Sequence, residues 1–365
     1  MHEWDAEAMQ CLKMAVIGVG ALGRHHARIL SQIENIDLVA VADPNEQQGR
    51  SVAETSGCEW TADYRELIGR VDAASIVVPT FLHRPVAAEF LQAGVPVLIE
   101  KPLAGNVPDG EALVELAAEK SVALQVGHVE RFNPTFQKLQ AVTGAAKYIR
   151  AERLSPYAFR SMDIGAVHDL MIHDIDLVLA LARSPVDRVE AFGASIVGGC
   201  EDAVQARLVF ENGCIADLTA NRVCPQPRRT LQVWSDTGCI DADLHQRKIT
   251  EFRPGAALLA GELPYDLAMQ PGAEIASLKQ QIFERFITIT ETDAAADDAL
   301  TAELASFAAS VRHGTTPAVD GAQALAALRI AGRVVESVQN HRWDGAADGR
   351  IGPHAHAIHT KRRAA

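Results

Sequence analysis

The stretch VIGVGALGRHHARIL, residues 16–30, decides the fold of this chain. Its three glycines have the spacing G-x-G-x-x-G directly after an apolar run and at the start of an amphipathic segment. The first glycine permits a tight turn, the second lets the backbone approach a pyrophosphate, and the third allows the helix to pack closely on the strand. The helix N-terminus then supplies amide donors to the pyrophosphate. The residues predicted to hold a dinucleotide here are Gly18, Gly20, Ala21, Leu22 and Gly23.

A carboxylate at the end of the second predicted strand, DLVAVAD, indicates which dinucleotide is bound. Asp43 is the last residue of that run, and the nearest arginine that follows it is Arg50. A carboxylate at this position accepts hydrogen bonds from the adenosine ribose and repels a 2′-phosphate. The sequence therefore predicts NAD rather than NADP as the cofactor.

The regions outside the glycine loop predict two domains. Over residues 13–127, short apolar runs alternate with amphipathic segments, which is typical of βαβ units in a doubly wound parallel sheet of the Rossmann type. From 128 to 317, apolar runs are joined by hairpin-type turns such as ENG and SDTG, which predict a mostly antiparallel open sheet. A helix over 318–340 is predicted to pack back on the first domain. Residues 254–278, rich in Pro, Gly and Ala, are interpreted as a long loop, and 1–12 and 345–365 as flexible ends.

Composition limits the possible functions. The 365 residues are 48% hydrophobic and 22% charged, which is ordinary for a folded two-domain protein. A net charge of −13 disfavours nucleic acid as a partner. No apolar run approaches the roughly 18–20 residues of a membrane helix, so no membrane span is expected. Six scattered cysteines without a C-x-x-C pair, and an N-terminus unlike a secretory signal, favour the cytoplasm. No cluster has metal-ligand spacing, so no metal is expected.

Two segments carry the candidate catalytic chemistry. Glu100 and Lys101 end the apolar run VPVLIEK, and open α/β sheets place ligands at the carboxyl ends of their strands. A lysine there could stabilise a developing alkoxide. The segment HDLMIHDIDL, read as an α-helix, is apolar except for one narrow strip that contains Asp169 and His173. At a spacing of i,i+4 the carboxylate can orient the imidazole as a general base. His168 and Asp174 point elsewhere and are assigned to capping or structure.

Together these motifs resemble the Gfo/Idh/MocA family of nicotinamide-dependent sugar and polyol dehydrogenases. The glycine loop, VPTFLH (78–83), EKP (100–102) and HDLMIHDIDL occur in the family's order over residues 13–340. The resemblance implies a Rossmann domain followed by an open-sheet domain whose exposed face forms homodimers or homotetramers. It implies catalytic roles for Lys101, Asp169 and His173 and cofactor contacts for Thr80, His83 and Glu100.

A narrower likeness concerns QVGHVERFNPTF (125–136) and RLSPYAFRSMDIG (153–165). These segments resemble the subgroup of nucleotide-sugar 3-dehydrogenases, which oxidise the C3 hydroxyl of UDP-N-acetylglucosamine or its uronate to a 3-keto sugar. An analogous role here would be in the synthesis of lipid A or another surface glycan. Arginines near the catalytic segments of an acidic chain are consistent with a diphosphate. The candidate substrate residues are Arg131, Arg153 and Arg160 for the diphosphate, with His128 and Asn133 for the sugar or base.

Two alternatives remain open from the sequence. The same fold and catalytic residues could oxidise a free sugar or an inositol-like polyol, and the convergence of the arginines at 131–160 on the site would distinguish the two substrates. A non-catalytic NAD-binding regulatory protein is the third reading. The presence of the full lysine, aspartate and histidine set argues against it, because a protein that only binds NAD has no need of it.

Overall fold

The computed structural model describes residues 11–159, 164–197 and 200–341. Most of the predicted N-terminal extension, the whole predicted C-terminal tail and Arg160 lie outside these ranges. Contacts between Cα atoms divide the described chain into two compact units. Unit 1 comprises the residues up to Phe132 together with Asp297–Gly332, and unit 2 comprises Asn133–Ala296 together with the residues from Arg333 onward.

Unit 1 is built on a six-stranded sheet with the strand order β3-β2-β1-β4-β5-β6. Every adjacent pair in it is parallel, which confirms the predicted doubly wound Rossmann sheet. The bounds of its elements are β1 Leu12–Ile17, α1 Gly23–Leu30, β2 Ile36–Ala42, α2 Glu46–Ser56, β3 Glu59–Thr61, β4 Ala73–Ile76, α3 His83–Gln92, β5 Val97–Glu100, α4 Val107–Lys120 and β6 Leu124–Gly127.

The central strands of unit 1 are short apolar runs because both faces of the sheet are covered. One apolar cluster joins Ile17, Ile76 and Ile99 to Phe90 of α3, and includes Leu328 from the C-terminal part of the chain. The other joins alternate residues of the same strands to α1 and to a helix near residue 307. The strand bounds also place the candidate site residues. The carboxyl ends of β1, β2, β4 and β5 are followed, in turn, by the glycine loop, Asp43, the 78–83 segment and Lys101.

Unit 2 is built on an eight-stranded sheet with the order β14-β13-β12-β11-β7-β10-β9-β8. Only the β7–β10 pair is parallel, so the predicted mostly antiparallel sheet is confirmed. Its elements are α5 Pro134–Val142, β7 Ala146–Leu154, α6 Ile172–Ala182, β8 Val186–Ala194, β9 Ala203–Phe210, β10 Ile215–Asn221, β11 Arg228–Ser235, β12 Gly238–Asp243, β13 Lys248–Pro254, α7 Ala256–Leu259, α8 Pro264–Ala268, α9 Ile275–Gln281 and β14 Ile287–Asp293.

The C-terminal part of the described chain forms two helices, α10 Ala299–His313 and α11 Gly321–Asn340. The prediction assigned the residues up to 317 to the second domain, but α10 belongs to unit 1. Its apolar face, with Leu304 and Phe307 fully buried, packs in the same cluster as β1 and α1. The first part of α11 also belongs to unit 1, and its Leu325 and Leu328 are buried in the other cluster.

Residues 254–278 differ from the predicted long loop. They contain three short helices, α7, α8 and most of α9, separated by glycine turns at Gly261 and Gly272 with positive φ. Each helix is too short for its hydrophobic periodicity to stand out in the sequence, and the helices were therefore missed. None of the helices in the described ranges is long and apolar enough to cross a membrane.

Candidate active site

The glycine loop has the geometry that a dinucleotide requires. Gly18 has φ +85°, and a Cβ there would lie 2.6 Å from the Val77 carbonyl oxygen. A Cβ on Gly23 would lie 2.0 Å from the Gly18 carbonyl oxygen, so backbone packing requires a glycine at both positions. Gly20 is different, because among the described residues no atom other than those of Gly20 and its two chain neighbours lies within 4 Å of the position a Cβ would take. The open space at Gly20, flanked by exposed Ala21 and Leu22, fits the approach of a pyrophosphate.

The carboxylate of Asp43 joins the second strand to the glycine loop. Its Oδ2 accepts a hydrogen bond from the Val19 N–H at 2.9 Å, and its Oδ1 accepts one from the Asn45 N–H at 2.9 Å. Each carboxylate oxygen can accept more than one hydrogen bond, so both retain capacity for ribose hydroxyls. Arg50, the nearest following arginine, pairs with Glu46 at 2.8 Å and lies over the Trp60 ring. Residues of this loop and strand end therefore fit NAD, with the anionic Asp43 opposing a 2′-phosphate.

Glu100 is held by protein groups at the end of β5. Its Oε2 accepts the Lys101 N–H at 3.1 Å, and its Oε1 lies 3.2 Å from Nε2 of the buried His26. The predicted cofactor contact of Glu100 is therefore not favoured, because its carboxylate is largely buried and already has two protein neighbours. Lys101 itself is partly exposed, as its proposed role in stabilising an alkoxide requires.

His83 links two loops at the same edge of the sheet. Its Nδ1 lies 2.8 Å from the Pro102 carbonyl oxygen and its Nε2 lies 3.0 Å from the Val78 carbonyl oxygen. Burial is the main cause that lowers the pKa of this imidazole below its ordinary value, although the two carbonyls oppose the shift. Because the residue is only 1% exposed, His83 fits a brace beneath the site better than the predicted direct cofactor contact. Thr80, in a 3₁₀ turn before α3, is only partly buried and remains a candidate for that contact.

The catalytic segment of unit 2 departs from the predicted continuous α-helix. Val167–Met171 form a π-helical turn, and α6 begins only at Ile172. Since a π turn adds a residue per turn, the rotation of 100° per residue does not relate Asp169 to His173. Asp169 is buried, whereas His173 is partly exposed. π turns occur often at functional sites, and this one contains the candidate aspartate immediately before the candidate base.

Arg153 has a structural partner rather than an exposed position. The residue is 4% exposed, and its guanidinium donates from Nε to both oxygens of Asp174 at 3.1 Å and from Nη2 to Oδ1 at 2.8 Å. This bidentate pair joins β7 to α6 and confirms the structural assignment of Asp174. The predicted diphosphate role of Arg153 is corrected accordingly, because a buried guanidinium facing a carboxylate is poorly placed for a phosphate.

The other candidate substrate residues differ in accessibility. Asn133 caps α5 through a 3.0 Å hydrogen bond from the Thr135 N–H, and its Nδ2 donates to the Leu244 carbonyl at 3.3 Å, so its amide serves the fold of unit 2. His128 is 1% exposed. Arg131 is partly exposed and its Nη2 lies 3.5 Å from Gln323 Oε1 of α11. Among the described arginine candidates, Arg131 is the one that remains accessible to an anion.

Two buried residues next to the site were not singled out from the sequence. His26 and Ser75 are both fully buried and in contact, with His26 Nδ1 2.9 Å from Ser75 Oγ. A histidine in the helix after the third glycine was visible, but its partners on β4 and β5 lie 49 and 74 positions away and follow only from the sheet order. Within the described ranges, no group of three or more His, Cys, Asp or Glu side chains is placed to hold a metal ion.

Comparisons with known proteins agree with this architecture. Residues 12–128 match the family model of the GFO/IDH/MocA oxidoreductases with an NAD-binding Rossmann fold, and residues 138–241 match the GFO/IDH/MocA C-terminal domain. The chain is 38% identical over 252 residues to UDP-N-acetylglucosamine 3-dehydrogenase from Acidithiobacillus ferrooxidans, covering 68% of this chain and 80% of that one. A solved structure of that enzyme superposes with a TM-score of 0.78 at 32% identity, over 90% of this chain and 97% of the other.

A second relative, scyllo-inositol 2-dehydrogenase (NAD(+)) from Bacillus subtilis, is 25% identical over 348 residues, covering 90% of this chain and 94% of its own. The relatives therefore include dehydrogenases of a nucleotide sugar and of a polyol. With both family models matched in order, and with a glycine loop and Asp43 that fit NAD, the chain belongs to the GFO/IDH/MocA family of NAD-binding oxidoreductases.

Proposed function

We propose that this chain is an NAD-dependent dehydrogenase that oxidises the C3 hydroxyl of a nucleotide sugar such as UDP-N-acetylglucosamine to a 3-keto sugar. The observation that carries the proposal is the 38% identity to the Acidithiobacillus ferrooxidans enzyme of that name. The inositol dehydrogenase is more distant at 25% identity. Membership in an oxidoreductase family sets aside the non-catalytic alternative.

The proposed chemistry assigns one task to each catalytic residue. Bound NAD supplies the hydride acceptor. His173, the partly exposed imidazole of α6, removes the hydroxyl proton, and Asp169 in the preceding π turn orients and stabilises the resulting imidazolium. Lys101 at the end of β5 stabilises the negative charge that develops on the alkoxide oxygen. Exchanging His173 for Gln should lower kcat by about a hundredfold or more and leave NAD affinity within about twofold.

An anionic substrate is supported by the position of basic groups in an acidic chain. The net charge of −13 repels a UDP-sugar at long range, so local cations are needed to bind its diphosphate. Arg131 is the accessible described candidate, and Arg160, outside the described residues, is the second. We assign the diphosphate to these two arginines and not to Arg153. Synthesis of lipid A or another surface glycan is the proposed biological context.

The substrate is tested by steady-state kinetics at the reduced-nicotinamide absorbance. The purified protein is mixed with NAD and, separately, UDP-N-acetylglucosamine, its uronate, free N-acetylglucosamine or myo-inositol, each with a carbonyl trap. We expect turnover with a UDP-sugar, and an Arg131→Met variant should raise KM for it. Turnover with only the free sugar or inositol would refute the nucleotide-sugar assignment. The second candidate, a polyol dehydrogenase, is favoured by the 90% coverage of the inositol relative.

A homodimer or homotetramer is proposed from apolar side chains that unit 2 leaves exposed. Leu259, Tyr265, Met269 and Phe283, in or beside its short helices, are each at least 60% exposed, and Trp234 of β11 is 52% exposed. Monomeric proteins rarely expose large contiguous apolar patches, so we infer that a second copy of this chain covers these side chains. Light scattering coupled to gel filtration should give a mass of two or four times 39.2 kDa. A monomer at all concentrations would contradict the proposal.

A further inference from the structure

Three buried polar side chains from separate elements of unit 1 meet behind the lysine strand end. His26 of α1 is fully buried, with its Nδ1 2.9 Å from Oγ of Ser75, itself fully buried on β4. On the other side of the ring, Nε2 lies 3.2 Å from Oε1 of Glu100, the last residue of β5. We call Ser75, His26 and Glu100 the buried triad. The approach of Nε2 to Oε1 is a close polar contact without hydrogen-bond geometry, because among the described residues this buried nitrogen has no hydrogen-bond partner.

The space for the Glu100 carboxylate is provided by a glycine on the neighbouring strand. Gly127 of β6 pairs in register with Glu100, and a Cβ at Gly127 would lie 2.8 Å from Glu100 Oε1. A buried carboxylate is costly without polar neighbours. The contacts with His26 Nε2 and with the N–H of Lys101 supply polar neighbours to this carboxylate.

The carboxylate acts directly on the peptide that carries the lysine. Glu100 Oε2 accepts the N–H of Lys101 at 3.1 Å, so the triad ends on the backbone of the proposed catalytic residue. Two peptides further along, His83 Nδ1 contacts the Pro102 carbonyl oxygen at 2.8 Å. The ammonium of a lysine lies at the end of a flexible four-carbon side chain, so it can be positioned well only if the backbone of that residue is fixed.

We propose that His26 is a positioning residue that, through Glu100 and with Ser75 behind it, holds the backbone of Lys101 in the orientation needed for hydroxyl oxidation. The catalytic consequence rests on the role of Lys101 in the proposed function, whereas the structural link between His26 and the Lys101 peptide is independent of any substrate. As a positioning group, the triad acts by limiting the conformations of the strand end.

The structural link is tested without substrate, by hydrogen exchange and mass spectrometry on the full-length protein. His26→Gln keeps a polar group at this position. His26→Met introduces an unbranched side chain of similar length to Gln but removes the polar group. We expect His26→Met to raise amide exchange in the peptide spanning 97–104 by about tenfold and to leave the β1 peptide unchanged, with His26→Gln intermediate. His25→Met, at the adjacent exposed position of α1, is the matched control and should change neither.

Ser75→Ala gives a second, milder variant that keeps the imidazole in place. We expect exchange at 97–104 to rise by about threefold, with Ser310→Ala, another buried hydroxyl in unit 1, as the control. If His26→Met and Ser75→Ala fold and both leave exchange at 97–104 as in wild type, the proposal is overturned. That result would leave the proposed reaction untouched, whereas a lack of turnover with UDP-sugars would leave the exchange result untouched.

The catalytic consequence is tested with the substrate that wild type turns over, by a double-variant cycle. His26→Met should lower kcat by about tenfold with NAD affinity unchanged, and should have no further effect on kcat in a Lys101→Ala background, because it acts through that lysine. His26→Gln should restore part of kcat. An effect of His26→Met that is equally large with and without Lys101 would show that His26 acts elsewhere, and would refute its positioning role.

Discussion

Removing the carboxylate of Asp174 should strongly destabilise unit 2. The change Asp174→Ala removes the carboxylate that receives three hydrogen-bond contacts of 2.8–3.1 Å from Arg153, a residue that is 4% exposed. Breaking a buried pair from one side costs about 3–5 kcal/mol. For a domain of about 150–250 residues, this lowers Tm by about 6–20 °C. Replacing both residues, as Arg153→Met with Asp174→Leu, removes both charges and should recover all but about 1–2 kcal/mol.

The assay is urea unfolding followed by circular dichroism, for wild type, the single variant and the double variant. The same samples give KM for the substrate that wild type turns over, which should be within about twofold of wild type in the double variant, because Arg153 serves the fold. A loss below about 1 kcal/mol in Asp174→Ala would refute the buried-pair reasoning. A large rise in KM with normal stability in the double variant would instead restore the substrate role of Arg153.

Three further predictions concern unit 1. Gly23→Ala places a Cβ 2.0 Å from the Gly18 carbonyl oxygen and should lower the free energy of unfolding in urea by at least about 3 kcal/mol. Gly20→Ala should leave that free energy within about 1 kcal/mol of wild type. It should, however, lower the affinity for NAD at least about tenfold, as measured by calorimetry. Asp43→Ala removes two hydrogen-bond acceptors from the loop and should lower the free energy of unfolding by about 1–3 kcal/mol. It should also weaken the preference for NAD over NADP. An unchanged cofactor preference would contradict the role of Asp43. Burial lowers the pKa of His83 in the folded state, so the unfolded chain binds the proton more readily. The free energy of unfolding should therefore fall as the pH drops below about 6.5. His83→Gln should make the free energy of unfolding depend less on pH between about pH 5 and 7.

The parts of the fold that follow from short-range patterns were predictable from the sequence. Apolar runs separated by amphipathic segments predicted the parallel sheet, and hairpin turns predicted the antiparallel one, because both signals are local. The assignment of α10 to unit 1 was not predictable in the same way. The assignment depends on which apolar surface Leu304 and Phe307 pack against. The apolar pattern of α10 is equally compatible with packing on any apolar sheet face.

The candidate site shows the same division. The glycine loop and the Lys101 strand end are identified by a few adjacent residues, and the structure places both at carboxyl ends of unit 1 strands. Pairings between distant residues escaped the sequence, so Arg153 was assigned to a substrate although Asp174, 21 positions later, takes it. The π turn at Val167–Met171 also escaped, because a helical wheel assumes constant rotation and one added residue changes the direction of Asp169.

The most direct test of the central claim follows the hydrogen at C3. UDP-N-acetylglucosamine carrying deuterium at C3 is incubated with the protein and NAD, and the reduced nicotinamide is analysed by mass spectrometry. The account predicts that the reduced nicotinamide gains one deuterium, with a His173→Gln variant about a hundredfold or more slower. Reduced nicotinamide without deuterium, or deuterium transfer only from C2-labelled myo-inositol, would contradict it.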